Sequence, residues 1–124
     1  MTNESIKSYK ELIVWQKSID LVTKIYRITK DFPKAELYGL VSQMRRSAVS
    51  IPSNIAEGFQ RNSTKEYLQF LYIARGSAAE LETQIDISKR LKYIEALKLK
   101  DIEELLTEVF KMLSSLISKL RKIC

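Results

Sequence analysis

The chain has 124 residues, 45% hydrophobic and 29% charged, with only 3 Gly and 2 Pro, the profile of a helix-rich globular protein for which one core suffices. Histidine is absent, which removes the commonest general base and metal ligand and excludes zinc sites, Ser-His or Cys-His catalysis and Glu-x-x-His di-iron sites. Lys and Arg number 21 against 15 Asp and Glu, a net charge of +6 that suits a polyanionic partner.

Residues 1–8 read as a flexible N-terminus and 9–124 as one domain. The polar start Met1-Thr2-Asn3-Glu4-Ser5 is no signal peptide, and no run approaches the ~18 apolar residues of a membrane span. A cytoplasmic location is therefore expected. The lone Cys124 can form no internal disulfide, which suits a reducing compartment.

The first helix is predicted from about Tyr9 to Asp31, ending where Phe32-Pro33 forbids continuation. It carries two apolar seams: Leu12, Trp15, Ile19, Val22 and Tyr26, and, roughly 100° around, Val14, Leu21, Ile25, Ile28 and Phe32. So wide an arc needs cover on two sides, either from two helices of its own bundle or from one helix and another subunit.

The second helix is predicted to start near Glu36 or Leu37 and to turn Leu37, Val41, Met44, Ala48, Ile51 and Ile55 inward. Pro52 lies inside it, where a kink is expected and Ser47, Ser50 and Ser53 could bond the released carbonyls. Gly58 reads as its C-terminal cap. Ser63-Thr64-Lys65-Glu66 has the capping-box form for a third helix, with Tyr67, Leu71, Ala74, Ala78, Leu81 and Ile85 as its inner seam. Gly76 costs helix propensity and is expected to have a packing reason. The last helix, about Glu95 to Lys122, places Ile102, Leu106, Val109, Leu113, Leu116, Leu120 and Ile123 in heptad spacing. Four helices on short loops give an all-α, antiparallel up-down-up-down four-helix bundle.

The only catalytic candidates are carboxylates: Glu57, Glu66, Glu80, Glu82 and Asp86. Glu82 and Asp86, one turn apart, could hold a hard cation, but a solvated, ion-paired helix face accounts for them better. No catalytic residue, metal or cofactor is assigned. The informative cluster is basic and polar: Gln43, Arg45, Arg46, Asn54, Arg61, Lys65 and Arg75. Guanidinium forks bind phosphate at two points, and Arg61, Asn62, Ser63 and the amides near Thr64 could receive an anion at a helix N-terminus. Arg45, Arg46 and Arg75 could equally pair with Glu57, Glu66, Glu80 or Glu82. Tyr38, Phe59, Tyr67 and Tyr72 invite a base-stacking reading, although core and boundary packing explains most of them. Lys119, Arg121 and Lys122 suit the dipole at a helix C-terminus and need no ligand.

The stretches Trp15-Gln16-Lys17, Phe32-Pro33, Glu36-Leu37-Tyr38-Gly39-Leu40, Gln43 through Gly58, Ala74-Arg75-Gly76-Ser77 and Glu80-Leu81-Glu82-Thr83-Gln84 closely resemble the bacterial family of 23S rRNA intervening-sequence proteins. The resemblance spans about residues 9 to 94 and implies a left-handed antiparallel four-helix bundle assembling as a ring-like homopentamer. It extends to the accessory variability determinant proteins of diversity-generating retroelements, which implies nucleic acid or a reverse transcriptase as partners. The family pattern maps onto Arg45, Arg46, Asn54, Glu57, Gly58, Arg61, Arg75, Glu80 and Glu82. The sequence thus leads to a non-enzymatic homo-oligomer that binds RNA or DNA through Arg45, Arg46, Arg61, Lys65 and Arg75, with no membrane contact. Trp15, Val14, Leu21, Ile25, Pro52, Gly58 and Gly76 serve oligomer or helix packing. The competing reading is a protein-interaction scaffold for a partner such as a reverse transcriptase.

Overall fold

The computed structural model describes residues 6–124; part of the N-terminal segment expected to be flexible, residues 1–5, lies outside the described residues. The helices are α1 (Ile13–Thr29), α2 (Leu40–Phe59), α3 (Thr64–Arg90) and α4 (Ala96–Ile123), with short 3-10 turns at Tyr9–Glu11 and Lys34–Glu36. No strand occurs among the described residues. Each of α1 and α3 packs on both α2 and α4, while the diagonal pairs stay apart. The helices therefore stand at the corners of a square in chain order.

Cross-links fix their directions. Lys17 reaches Glu108 at 3.1 Å and Lys24 reaches Asp101 at 2.7 Å, so advancing along α1 means retreating along α4. Ser50 meets Ser77 and Met44 meets Ser88 between α2 and α3. Arg75 meets Ser114 and Lys89 meets Glu103 between α3 and α4. This is the expected up-down-up-down bundle. Among the described residues no helix is long and apolar enough to cross a membrane.

The deep stripe of α1 is Val14, Leu21, Ile25 and the following Phe32, with Ser18 and Thr29 completing it. Both hydroxyls are satisfied, donating to the Trp15 and Ile25 carbonyls at 2.8 and 2.7 Å. The other predicted seam is only half-buried: Trp15, Ile19 and Val22 border Val49 and Pro52 of α2, and Tyr26 is 40% exposed. Tyr9 packs edge-on against Trp15 with ring centroids 5.3 Å apart.

The helix starts differ from the sequence reading for a local reason each. A continuous helix from Tyr9 is replaced by a 3-10 turn capped by Ser8, because Leu12 is extended (φ −73°, ψ 126°). The Gln16 side chain donates to the Lys10 carbonyl at 2.8 Å across that break. Likewise α2 begins at Leu40, where the Glu36 carboxylate accepts the Leu40 N–H at 3.1 Å. Leu37 is left in the preceding turn, out of phase with α2 and exposed rather than inward. Val41, Met44, Ala48, Ile51 and Ile55 are buried as expected.

On α3 the stripe starts at Leu68 rather than Tyr67, which lies half-buried against Phe59. On α4 it leaves the strict heptad after Leu113 and passes to Ile117; Leu116 and Leu120 are half-buried and Ile123 is exposed. A straight helix of 3.6 residues per turn drifts about 20° per heptad, which moves the stripe by one position.

The helix α2 continues through buried Pro52. Ser50 does not turn back to a released carbonyl but crosses to Ser77 at 2.8 Å. Gly58 is not a cap, since the helix runs on to Phe59. A Cβ there would meet Phe70 Cβ at 2.8 Å and Tyr67 Cδ1 at 3.0 Å, so the missing side chain permits the close α2–α3 approach. Gly76 is the reverse case. A Cβ there would meet nothing within 4 Å, so the expected packing reason does not exist within one chain.

Candidate nucleic-acid interface

Three of the five basic residues singled out in the sequence are engaged inside the chain. Arg45 donates from Nε to Thr29 Oγ1 at 3.0 Å and from Nη2 to the Tyr26 carbonyl at 3.3 Å, with its guanidinium 4.6 Å from the Tyr26 ring centroid. It ties α2 to the end of α1. Arg75 donates to Ser114 Oγ at 3.3 Å and lies 5.6 Å from the Tyr72 ring. Arg61 pairs with Glu57 at 3.2 Å and stacks 4.7 Å over Phe70. Arg46 and Lys65 are exposed and form no ion pair with any described residue.

No described ion pair joins Arg45, Arg46 or Arg75 to Glu57, Glu66, Glu80 or Glu82. Nor do the five form one patch. Arg46 and Arg61 stand about 22 Å apart along the helix axis at 1.5 Å per residue, and Arg75 faces α4.

The antiparallel topology instead assembles a group that sequence order disperses. The segment before α1, the α2–α3 loop and the end of α4 share one end of the bundle. There Lys7, Lys10, Arg61, Lys65, Lys119, Arg121 and Lys122 are all exposed, against Glu11, Glu57 and Glu66. Lys119 lines the same groove as Ile6, Glu11 and Ile13. Of these cations only Arg61 forms an ion pair within the described structure. Ser63 caps α3 by accepting the Glu66 N–H at 3.2 Å, and the positive pole of α3 faces the same end. Sequence reasoning gave Lys119, Arg121 and Lys122 to the helix dipole alone; the signal that joins them to Lys65 is the parity of an antiparallel bundle.

The opposite end carries more ion pairs, while Arg27, Lys30, Lys34, Lys92 and Lys100 there form none with any described residue. Phe32 and Tyr93 pack with centroids 5.6 Å apart, and Tyr93 donates to Glu36 at 2.7 Å. The Tyr93 hydroxyl and the Leu40 N–H hold the Glu36 carboxyl below its usual range, and the same hydrogen bond pushes Tyr93 up. Lys89 bonds Glu103 at 2.9 Å, which raises its pKa. Arg90 occupies Asp86 at 3.1 Å. Among the described residues no three His, Cys, Asp or Glu side chains gather as a metal set.

The aromatics divide as follows. Phe59 and Tyr67 form an edge-on pair 6.1 Å apart, and burial pushes the Tyr67 hydroxyl up to about 12. Tyr72 lies under Arg75. Tyr38, 93% exposed, is the ring left open for stacking.

These features define an antiparallel four-helix-bundle protein with a basic end whose cations are mostly without ion pairs among the described residues. The chain belongs to the 23S rRNA-intervening sequence protein family, whose sequence profile matches residues 10–115. The fold is similar to the 1.70 Å crystal structure of a protein of unknown function from the S23 ribosomal protein family of Bacteroides thetaiotaomicron. The two share 29% identity with a TM-score of 0.77, over 85% of this chain and 98% of that one. No curated protein matches the chain.

Proposed function

We propose that the protein is a non-enzymatic, homo-oligomeric binder of RNA or DNA, held to phosphate by the basic end and by Arg46. The observation that carries this is the set of exposed cations at the α2–α3 loop and the end of α4, Lys65, Lys119, Arg121 and Lys122, that form no ion pair with any described residue. Cations already paired to carboxylates release no counterions on binding, whereas these do. Binding of this kind is salt-dependent and largely indifferent to sequence. A ring of copies, pentameric by family resemblance, multiplies the +6 of each chain. The test is fluorescence anisotropy of a labelled structured RNA, and of a DNA duplex of matched length, across a salt series. A linear fall of log affinity with log salt is expected; no binding at low salt sinks the reading.

A protein-interaction scaffold is the second reading, favoured by one feature. Ile73 and Ile87 are 51% and 41% exposed on α3, on either side of the contact-free Gly76. Such a stripe suits another chain, either a further copy or a partner such as a reverse transcriptase. Sedimentation of the Ile73→Asp, Ile87→Asp double variant tests it: a smaller assembly than wild type supports a subunit contact, and an unchanged one removes that occupant.

A further inference from the structure

Between α2 and α3, away from the basic end, runs an open groove of about 730 Å³. Its walls are polar: Gln43, Arg46 and Ser50 on α2 face Ser77, Glu80 and Gln84 on α3, with Tyr38 at its mouth. The spacing is that of one helix face on each side, i, i+3, i+7. A solvated seam between two packed helices ordinarily satisfies itself, and this one does not.

The unmet groups are specific. Ser50 and Ser77 share one hydroxyl hydrogen at 2.8 Å while the Asn54 amide donates to Ser50 Oγ at 2.9 Å. Whichever serine donates, one hydroxyl hydrogen of the pair is left over. Gln84 Oε1 is buried with no hydrogen-bond partner; its terminal torsion is soft and lets the amide turn toward the groove. Arg46 and Glu80, on opposite walls, are exposed and form no ion pair with any described residue. Tyr38 holds its ring almost wholly in solvent.

We propose that this groove takes one unpaired guanine nucleotide of an RNA strand. The inference rests on the nucleic-acid reading above. Guanine offers adjacent N1–H and N2–H donors on its Watson–Crick edge for the Glu80 carboxylate and the Gln84 oxygen. Its O6 and N7 accept the leftover serine hydrogen, its face stacks on Tyr38, and its phosphate meets Arg46. A phosphate alone leaves Glu80 opposed to it, and a base held in a duplex has its Watson–Crick edge occupied.

The experiment uses the intact protein and three labelled probes at one salt concentration: a guanine-containing single-stranded RNA, a guanine-free RNA of the same length, and an RNA duplex. The guanine-containing strand is expected to bind at least about tenfold tighter than the guanine-free one, in line with one good base contact. Glu80→Gln and Tyr38→Ala, both at exposed positions, should abolish that preference while leaving duplex binding within about twofold, with circular dichroism confirming the fold. Equal affinity for the two single strands overturns the groove assignment, as does a preference that survives both substitutions. Absence of binding to all three probes overturns the nucleic-acid reading itself, and the groove with it.

Discussion

The two ends of the bundle are built from the same residue types and pair them to different degrees. At the end holding Phe32, Glu36 and Tyr93, a tyrosine hydroxyl and a backbone N–H converge on one carboxylate. The nearby Lys24, Lys89 and Arg90 are matched to Asp101, Glu103 and Asp86, while Arg27, Lys30, Lys34, Lys92 and Lys100 form no ion pair with any described residue. At the other end Lys65, Lys119, Arg121 and Lys122 have no such partners among the described residues. What sets the ends apart is therefore the share of cations that meet carboxylates. An ion pair on the surface adds little stability in either place, so pairing matters here chiefly for what is left to meet an outside anion.

The comparison breaks most sharply under charge removal. Replacing Lys65, Lys119, Arg121 and Lys122 with Ala should lower RNA affinity at least about 30-fold near 0.1 M salt and flatten the log-log salt slope by about 3, since each lost contact removes roughly 0.7 to 0.9 of slope. Removing the same number of charges at the other end, at the ion-paired Lys24, Lys89, Arg90 and Lys98, should cost about threefold at most. Anisotropy titrations of the two variants decide it; equal losses would mean that total charge, not position, matters.

The second prediction concerns the scaffold of the basic end. Gly58→Ala forces a Cβ against Phe70 Cβ and the Tyr67 ring, an overpacking cost of about 1–3 kcal/mol that outweighs the ~1 kcal/mol of helix propensity gained. Urea denaturation should show net destabilisation. A variant as stable as wild type would mean that the α2–α3 crossing relaxes easily.

The ends should also fail at opposite extremes of pH. Tyr67 titrates at about 12 when folded against 10.0 ordinarily, so the folded state keeps its proton longer. The stability it adds is complete below pH 10 and lost as pH rises through 12, on the order of 1 kcal/mol for a partly exposed ring. Tyr67→Phe should remove that alkaline component of the melting curve. Glu36 is shifted down from 4.5, so its contribution is present above pH 4.5 and lost as pH falls below it. Tyr93→Phe should shrink that acid component.

The smallest effect is expected at Gly76→Ala, which meets nothing within 4 Å and should stabilise a single chain by up to about 1 kcal/mol. Thermal melts at low protein concentration measure it. Destabilisation instead would place another chain against this face.

Those two glycines also show what was legible in the sequence. The four helices, the α2 stripe from Val41 to Ile55 and the Ser63 cap follow from periodicity and local chemistry, and they stand in the fold. The close helix approach expected at Gly76 falls instead at Gly58, because each is simply a glycine within a helical pattern until the neighbouring helix is placed. The breaks at Leu12 and before Leu40 depend on side chains reaching backbone across a turn, Gln16 to Lys10 and Glu36 to Leu40, which periodicity does not encode. The basic end escaped because Lys7 and Arg121 lie at opposite ends of the chain and meet only through topology.

The most direct test of the account is lysine footprinting: brief acetylation of the protein with and without a saturating structured RNA, read by mass spectrometry. Protection of Lys65, Lys119 and Lys122 with unchanged modification of the ion-paired Lys24, Lys89 and Lys98 is the predicted result. Equal protection of Lys24, Lys89 and Lys98, or protection confined to them, would contradict it.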